Sequence, residues 1–296
     1  MKKYILNLGI IQLYETYSKI VLKIFGVRTS FLKKTTGLYY FNERANFGDL
    51  LNLDLFNFFN KSTQNDSCIM LAIGSLLDGF LLKKKRKKRK TPIIVYGTGF
   101  IKDKTKKDVF AYPLKVYACR GYNTLERLKH ADNVQVIDNV VVADPGILVS
   151  KIFDTKDVKK KYKLGIIPHY VDKDNSLLDK IKVTNSVVLD ICENPKTLVK
   201  KIAECECIIS SAMHGLIAAD SLGIPNIRMV ITDKLIGGDY KFNDYYSAFG
   251  ISNHNRINLN EQYVTDKDLP FIISHYKIPK NKIAELQKKL IDIFPF

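Results

Sequence analysis

The sequence predicts an α/β protein built from two consecutive parallel-sheet units, residues 1–150 and 164–296. Three observations lead there. The 296 residues suit two domains at ~150 residues each. Short apolar runs, each closed by a glycine or polar turn and followed by a helical stretch, recur along the chain. A lysine-rich, weakly patterned stretch over 150–163 separates two such series and reads as a linker.

The first residues stand outside the alternation. Over 4–27, Leu6, Ile10, Leu13, Tyr17, Ile20, Val21, Ile24 and Phe25 recur at helical spacing, interrupted by Gln12, Glu15, Lys19 and Lys23. That predicts an amphipathic helix rather than a spanning one or a secretory leader. Such a helix packs on its own domain or lies on a membrane surface.

The first series then begins. Leu38–Phe41 is strand-like, Asn46–Asp49 a loop, and 50–59 helical. Strands follow at 68–73, ending in Gly74-Ser75, and at 92–96, ending in Gly97-Thr98-Gly99. Another at 114–119 ends in Arg120 and feeds a helix over 123–130; a strand at 140–143 ends in Asp144-Pro145. The second series has strands at 164–167, ending in Pro168-His169, at 186–189, at 207–209, ending in Ser210-Ser211, and at 226–230. Its helices run over 195–204, starting at Asn194-Pro195, and from Ser211 to a stop at Gly223. A final helix over 280–293 is expected to pack back on the first unit. Both units are Rossmann-like in this pattern.

Lys and Arg total 47 against 30 Asp and Glu, a net charge of +17, and Lys83–Lys90 supplies eight of these charges without a break. Such a balance favours anionic partners. The run reads first as a solvated loop and second as a contact for anionic lipid, where each basic residue is worth ~1 kcal/mol. No zinc-finger spacing or aromatic RNP-like motif points to nucleic acid. Five cysteines, an odd number without framework spacing, argue against a disulfide scaffold, and their pattern completes no metal site. Reduced thiols fit a cytoplasmic protein.

In parallel sheets the ligand crevice lies beyond the carboxyl ends of the strands. The residues expected there are Asn46, Gly48 and Asp49 of the first loop, Gly74 and Ser75, Gly97 and Gly99, Arg120, Asp144, His169, and Ser210, Ser211 and His214. His214 falls in the first turn of a helix, where free N–H groups and the dipole favour an anion. A histidine there exchanges protons near neutral pH or caps the helix structurally. A strand-end arginine is suited to a carboxylate or phosphate, or sits on the surface. Gly97-Thr98-Gly99 lacks the third glycine of a dinucleotide fingerprint.

In order along residues 37–250, these pieces resemble the polysaccharide pyruvyl transferase family. The resemblance rests on Asn46-Phe-Gly-Asp49, Gly74-Ser75, Val95-Tyr-Gly-Thr-Gly99, Ala118-Cys-Arg120, Asp144-Pro145, Ile166-Ile-Pro-His169 and, above all, the segment Ser210–Pro225 with Ala212-Met213-His214. Asp239–Tyr246 also matches, and brings in Lys241. The resemblance implies a fold similar to GT-B glycosyltransferases and transfer of pyruvate from phosphoenolpyruvate to sugar hydroxyls as a cyclic ketal, with no cofactor required. The implied acceptor is an oligosaccharide or lipid-linked saccharide, which would place the protein in the cytoplasm or on the inner face of the membrane. It places the family's functional histidine on His214, its strand-end arginine on Arg120 and its loop aspartate on Asp49; the chemistry then suggests His214 as general acid, Asp49 as base and Arg120 as the donor clamp. Many members carry Arg where this chain has Ala212; the Ala-Met-His-Gly form looks like the succinoglycan-type branch, and Arg228 or Lys241 would have to supply the missing cation. Two rival readings remain: a GT-B glycosyltransferase using a nucleotide sugar, and an inactive glycan- or membrane-associated scaffold.

Overall fold

The computed structural model describes residues 30–33, 36–41, 45–59, 68–81, 91–104, 107–232 and 237–296. The expected amphipathic helix over 4–27 and the basic run Lys83–Lys90 lie outside the described residues.

The chain is a mixed α/β protein with parallel sheets. The first sheet has six strands in sequence order: β1 (Ser30–Lys33), β2 (Thr36–Tyr39), β3 (Cys68–Leu71), β4 (Ile93–Tyr96), β5 (Val109–Cys119) and β6 (Asp132–Val142). Only β1 and β2 are antiparallel; every later pair is parallel. The second sheet contains β7 (Tyr162–Ile167), β9 (Ser186–Val188), β10 (Cys205–Ser210), β11 (Asn226–Val230) and β12 (Arg256–Asn258). Its spatial order is β12-β11-β10-β7-β9, all parallel. Two short strands, β8 (Ile181–Lys182) and β13 (Val264–Thr265), pair by themselves. The helices are α1 (Phe47–Phe59), α2 (Tyr122–Lys129), α3 (Val149–Ile152), α4 (Pro195–Ala203), α5 (Met213–Ser221), α6 (Tyr240–Ser247), α7 (Leu269–Ser274) and α8 (Lys280–Asp292).

The order of the second sheet fixes where a ligand can enter. From β7 the chain goes outward to β9, then returns to lay β10 on the opposite side of β7. The connections leaving the carboxyl ends of β7 and β10 therefore diverge to opposite faces, opening a crevice between them. His169 follows β7, and Ser211–His214 follows β10. The first sheet reverses direction nowhere from β2 to β6 and opens no such crevice of its own.

One apolar cluster joins both sheets. It runs from Leu38, Tyr96 and Ile147 on the first side to Ile167, Leu216 and Leu290 on the second. At ~25 cal/mol per Å² of buried apolar area, this shared layer holds α1 and α5 against each other. Helix α8 closes it: the Tyr96 hydroxyl donates to Leu290 O at 2.6 Å, and Gln287 Nε2 donates to Ile147 O at 2.6 Å.

Three elements differ from the sequence reading. Strand β6 begins at Asp132, eight residues before the apolar run at 140. It lies at the sheet edge with most of its side chains exposed or half-buried, so little apolar patterning is needed there. The stretch 150–163 expected to be a linker begins inside the short helix α3, which itself follows a 3₁₀ turn over Pro145–Leu148. Asp144 caps that turn by accepting Gly146 N–H at 2.8 Å, with Pro145 at the first position. Helix α6 was not expected as a helix, although Phe242, Tyr245 and Tyr246 sit at i, i+3, i+4 and all three are buried.

Candidate active site

Two helix starts meet at the carboxyl edges of the two sheets. Helix α1 follows β2 and begins at Phe47; α5 follows β10 and begins at Met213. Gly48 makes their approach close: a Cβ on it would lie 2.0 Å from the His214 ring, so the imidazole rests directly on the α1 backbone. Beside them lies a cavity of ≈ 300 Å³. Asn46 and Asp49 line it from α1, Gly74 and Ser75 from the end of β3, and His169 and Tyr170 from the end of β7. Ala212, Met213 and His214 line it from the start of α5, and Lys241 enters from α6.

Three ionisable groups of the cavity, Asp49, Lys241 and His214, are displaced from their ordinary ranges. Burial pushes the Asp49 carboxyl up to about 7, against the opposing pull of the Asn46 amide and Lys241. Asn46 Nδ2 donates to Asp49 Oδ2 at 2.9 Å, which fixes the carboxyl over the first turn of α1. Burial lowers the Lys241 ammonium to about 8, with Arg120 and Arg228 adding repulsion. Among the described residues Lys241 makes no hydrogen bond or ion pair; its ammonium lies 5.4 Å from the Phe242 ring. Burial lowers His214 to about 3, with Arg120, Lys241 and His169 contributing. That lowering favours the neutral imidazole at physiological pH.

Behind His214 stands Asp144, which the sequence reading placed at a strand end without a role. Its Oδ2 lies 3.9 Å from His214 Nε2. Both atoms are buried without a hydrogen-bond partner among the described residues. Burial raises this carboxyl to about 7.

The structure gives several expected site residues another place. Arg120 is fully buried and does not line the cavity. Its Nε pairs with Asp244 at 2.8 Å, Nη1 donates to Ser75 Oγ at 2.7 Å, and Nη2 donates to Phe100 O at 2.5 Å. Asp244 also accepts from the Thr124 amide and hydroxyl, at 2.8 and 2.7 Å. Thus Arg120 anchors α6 to the first sheet instead of reaching into the cavity. Three residues before Asp244 on that helix is Lys241, on the same face. The arginine acts on the cavity through this placement and through its charge.

The glycines after β4 serve packing. A Cβ on Gly97 would meet the Pro145 ring at 2.1 Å, and one on Gly99 the Arg120 guanidinium at 2.6 Å. The serine hydroxyls are engaged within the protein. Ser210 donates to Ile167 O and accepts from the Ala212 amide; Ser211 donates to Asp172 and accepts from the His169 amide. They shape the turn before α5 without lining the cavity. Of the two cations considered for the missing arginine, Arg228 pairs with Asp239 at 2.6 Å and lies 3.9 Å over the Phe242 ring. Lys241 is the one that lines the cavity beside Ala212. No cluster of three or more His, Cys, Asp or Glu suited to a metal occurs among the described residues.

A catalytic-looking cavity between two parallel sheets suits many chemistries, and the comparisons narrow them. The polysaccharide pyruvyl transferase family matches residues 12–233. The chain belongs to that family. It is also 31% identical to the uncharacterized protein L143 of Acanthamoeba polyphaga mimivirus, over 68% of this chain and 72% of that protein. It is 24% identical to the succinoglycan biosynthesis protein ExoV of Rhizobium meliloti (strain 1021), over 72% of this chain and 65% of that protein. The second similarity supports the succinoglycan-type branch suggested by Ala212-Met213-His214. Among the described residues no helix is long and apolar enough to cross a membrane.

Proposed function

We propose that this polysaccharide pyruvyl transferase moves pyruvate from phosphoenolpyruvate onto two hydroxyls of a sugar in a surface polysaccharide, an exopolysaccharide or a lipid-linked precursor, closing a cyclic ketal. The observation that carries the donor is Lys241: a half-buried ammonium with no ion pair or hydrogen bond among the described residues, drawn only at longer range by Asp49 and Asp172, in a cavity that also holds His214. A partly desolvated cation favours an anion, and phosphoenolpyruvate brings a carboxylate and a phosphate. The first N–H groups of α5 have no partner within the helix and point the same way.

The chemistry assigns a task to each group. The methylene carbon of the donor takes a proton and becomes a methyl group, which leaves C2 electrophilic. One sugar hydroxyl adds to C2 and loses its proton to a base. A second hydroxyl then displaces phosphate, which leaves carrying a proton. Asp49, whose carboxyl ionises near neutrality, suits the base. His214 suits delivery of the proton to the methylene carbon, and Lys241 holds the donor. None of these steps uses a metal or cofactor. On this reading the two sheets are the halves of a GT-B-like arrangement with the donor between them. A lipid-linked acceptor would bring the basic run Lys83–Lys90 near anionic lipid, which co-sedimentation with phosphatidylglycerol vesicles at low salt checks directly.

The test is donor choice. Phosphate release and phosphoenolpyruvate consumption are followed with a panel of saccharides, and binding by calorimetry is compared with a panel of nucleotide sugars. Saturable phosphoenolpyruvate binding with a new ketal in the product's mass spectrum is expected. Binding of a nucleotide sugar in its place would move the protein to glycosyl transfer.

A further inference from the structure

The acid in this scheme raises a difficulty: burial disfavours an extra proton on the proposed proton donor, His214. Its surroundings resolve this. The Nε2 side of the ring faces Asp144 Oδ2 across 3.9 Å, and neither atom has another partner. The other oxygen of Asp144 is already committed, accepting Gly146 N–H at 2.8 Å. A shift of about 1 Å brings Oδ2 and Nε2 to hydrogen-bond distance and satisfies two buried polar atoms at once. Only one proton is needed between them.

We propose that Asp144 and His214 share one proton as a unit, Asp144 holding it on Oδ2 and giving it to Nε2 as the imidazole releases its own from Nδ1. The proposal rests on the pyruvyl-transfer reading for its acceptor, the methylene carbon of the donor. In the resting pair Asp144 is a carboxylic acid donating to Nε2, and Nδ1 carries the ring hydrogen. When the substrate carbon takes the Nδ1 hydrogen, Nε2 takes the Asp144 proton. One C–H bond forms, the Nδ1–H and Oδ2–H bonds break, and an Nε2–H bond forms. The imidazole is neutral before and after, and Asp144 ends as a carboxylate. The ring never has to become a stable cation beside Arg120 and Lys241. In a serine-protease triad the aspartate stays ionised throughout; here burial raises the Asp144 carboxyl and lowers the His214 imidazole, and both directions favour the proton on the carboxyl.

The charged and titratable groups around the pair are Asp49, Lys241, His169, Arg120 and, behind Asp144, Asp244. Arg120 and Lys241 repel an imidazolium, and Asp49 titrates in the same range as Asp144. A D49N control is therefore required.

The experiment reads the His214 tautomer in the full chain without ligand. Protein labelled with ¹⁵N-histidine is titrated from about pH 5 to 9, with the His214 signals assigned by H214Q. The wild type is expected to show the Nδ1–H form below about 7 and the Nε2–H form above it, as Asp144 ionises and begins to accept. D144N keeps the Gly146 cap, since asparagine caps as well as aspartate. Its amide donates to Nε2 and should lock the Nδ1–H form at every pH, while D49N should keep the switch. Absence of the switch in the wild type, or its persistence in D144N, overturns the proposal. Kinetics supply the second arm: D144N should lower kcat by ~10²-fold with KM for phosphoenolpyruvate nearly unchanged, and remove the alkaline limb of the pH profile. An unaltered profile would also overturn it. If the tautomer switches and no phosphoenolpyruvate is consumed, the shared proton stands and the donor assignment fails.

Discussion

Gly48→Ala tests whether His214 acts from the position the fold gives it. The added Cβ would stand 2.0 Å from Nδ1 and 2.3 Å from Cγ of the imidazole. Ordinary contact begins near 3.4 Å, so the ring, or α1, must give by about 1.4 Å. Overpacking of this kind costs ~1–3 kcal/mol. Alanine in place of glycine inside a helix returns ~1 kcal/mol. The net loss of stability should be ~2 kcal/mol or less, and the protein should remain folded. Catalysis should suffer more, because a displacement of ~1 Å in a reacting group can cost ~10²-fold. The assay is phosphate release from phosphoenolpyruvate with acceptor, alongside thermal unfolding. A G48A protein with a near-normal melting temperature and kcat/KM down ~10²-fold is expected. Activity within about threefold of wild type would refute the reasoning, since it would mean that the ring's seat on α1 is irrelevant to the reaction.

Further predictions concern the other charged groups. R120K leaves Asp244 and Phe100 O poorly matched in a fully buried pair; it should cost ~3–5 kcal/mol of stability, read by denaturant unfolding, and a stable R120K that had lost only donor affinity would restore the arginine to the role of clamp. K241M should raise KM for phosphoenolpyruvate at least tenfold, and calorimetry would count against the donor site if affinity were unchanged. The same variant should be more stable than wild type at pH 7. The native Lys241 pKa, lowered to about 8, lies below that of the unfolded chain, so the ammonium destabilises the fold below about 8 and the penalty fades as pH rises from there. The pH profile of kcat/KM should rise towards about 7 as Asp49 ionises into its base form and fall above it as Asp144 loses its proton. D49N should flatten the acid limb; an unchanged limb would assign the base elsewhere. Stability follows the opposite sign to a salt-bridged carboxylate: Asp49 binds its proton more tightly folded than unfolded, so its contribution is present below the ordinary carboxylate value of 3.8 and lost as pH rises to about 7.

The sequence alone was enough for the parallel-sheet class, most strand ends and the position of His214. Those features are local: an apolar run of strand length, a glycine or polar turn and a helical period are written in consecutive residues. Asn226–Val230 is a strand with the boundaries its pattern suggests, and α4 starts at Asn194-Pro195 because the asparagine side chain accepts Lys196 N–H at 3.0 Å. The edge strand β6 hid its first half because exposed residues there face no core.

Which side chains face the cavity was decided only in three dimensions. Arg120 ends an apolar strand as a ligand-binding arginine would, yet Asp244, 124 residues away, turns it inward. Ser210 and Ser211 look available beside His214, yet Ile167 O of β7 takes the first hydroxyl, and the His169 amide and Asp172 beyond β7 engage the second. Gly48 is one glycine of a loop in the sequence and the seat of the imidazole in the fold. Asp144 and His214 lie 70 positions apart, and nothing local marks them as partners. The reason is physical: a strand or turn is set by its neighbours in the chain, whereas the charge state of a buried group is set by whatever the fold packs around it. The histidine, Asp144 and Lys241 could all be named from the chain; that the aspartate stands behind the imidazole and the lysine beside it required the packing of two sheets against each other.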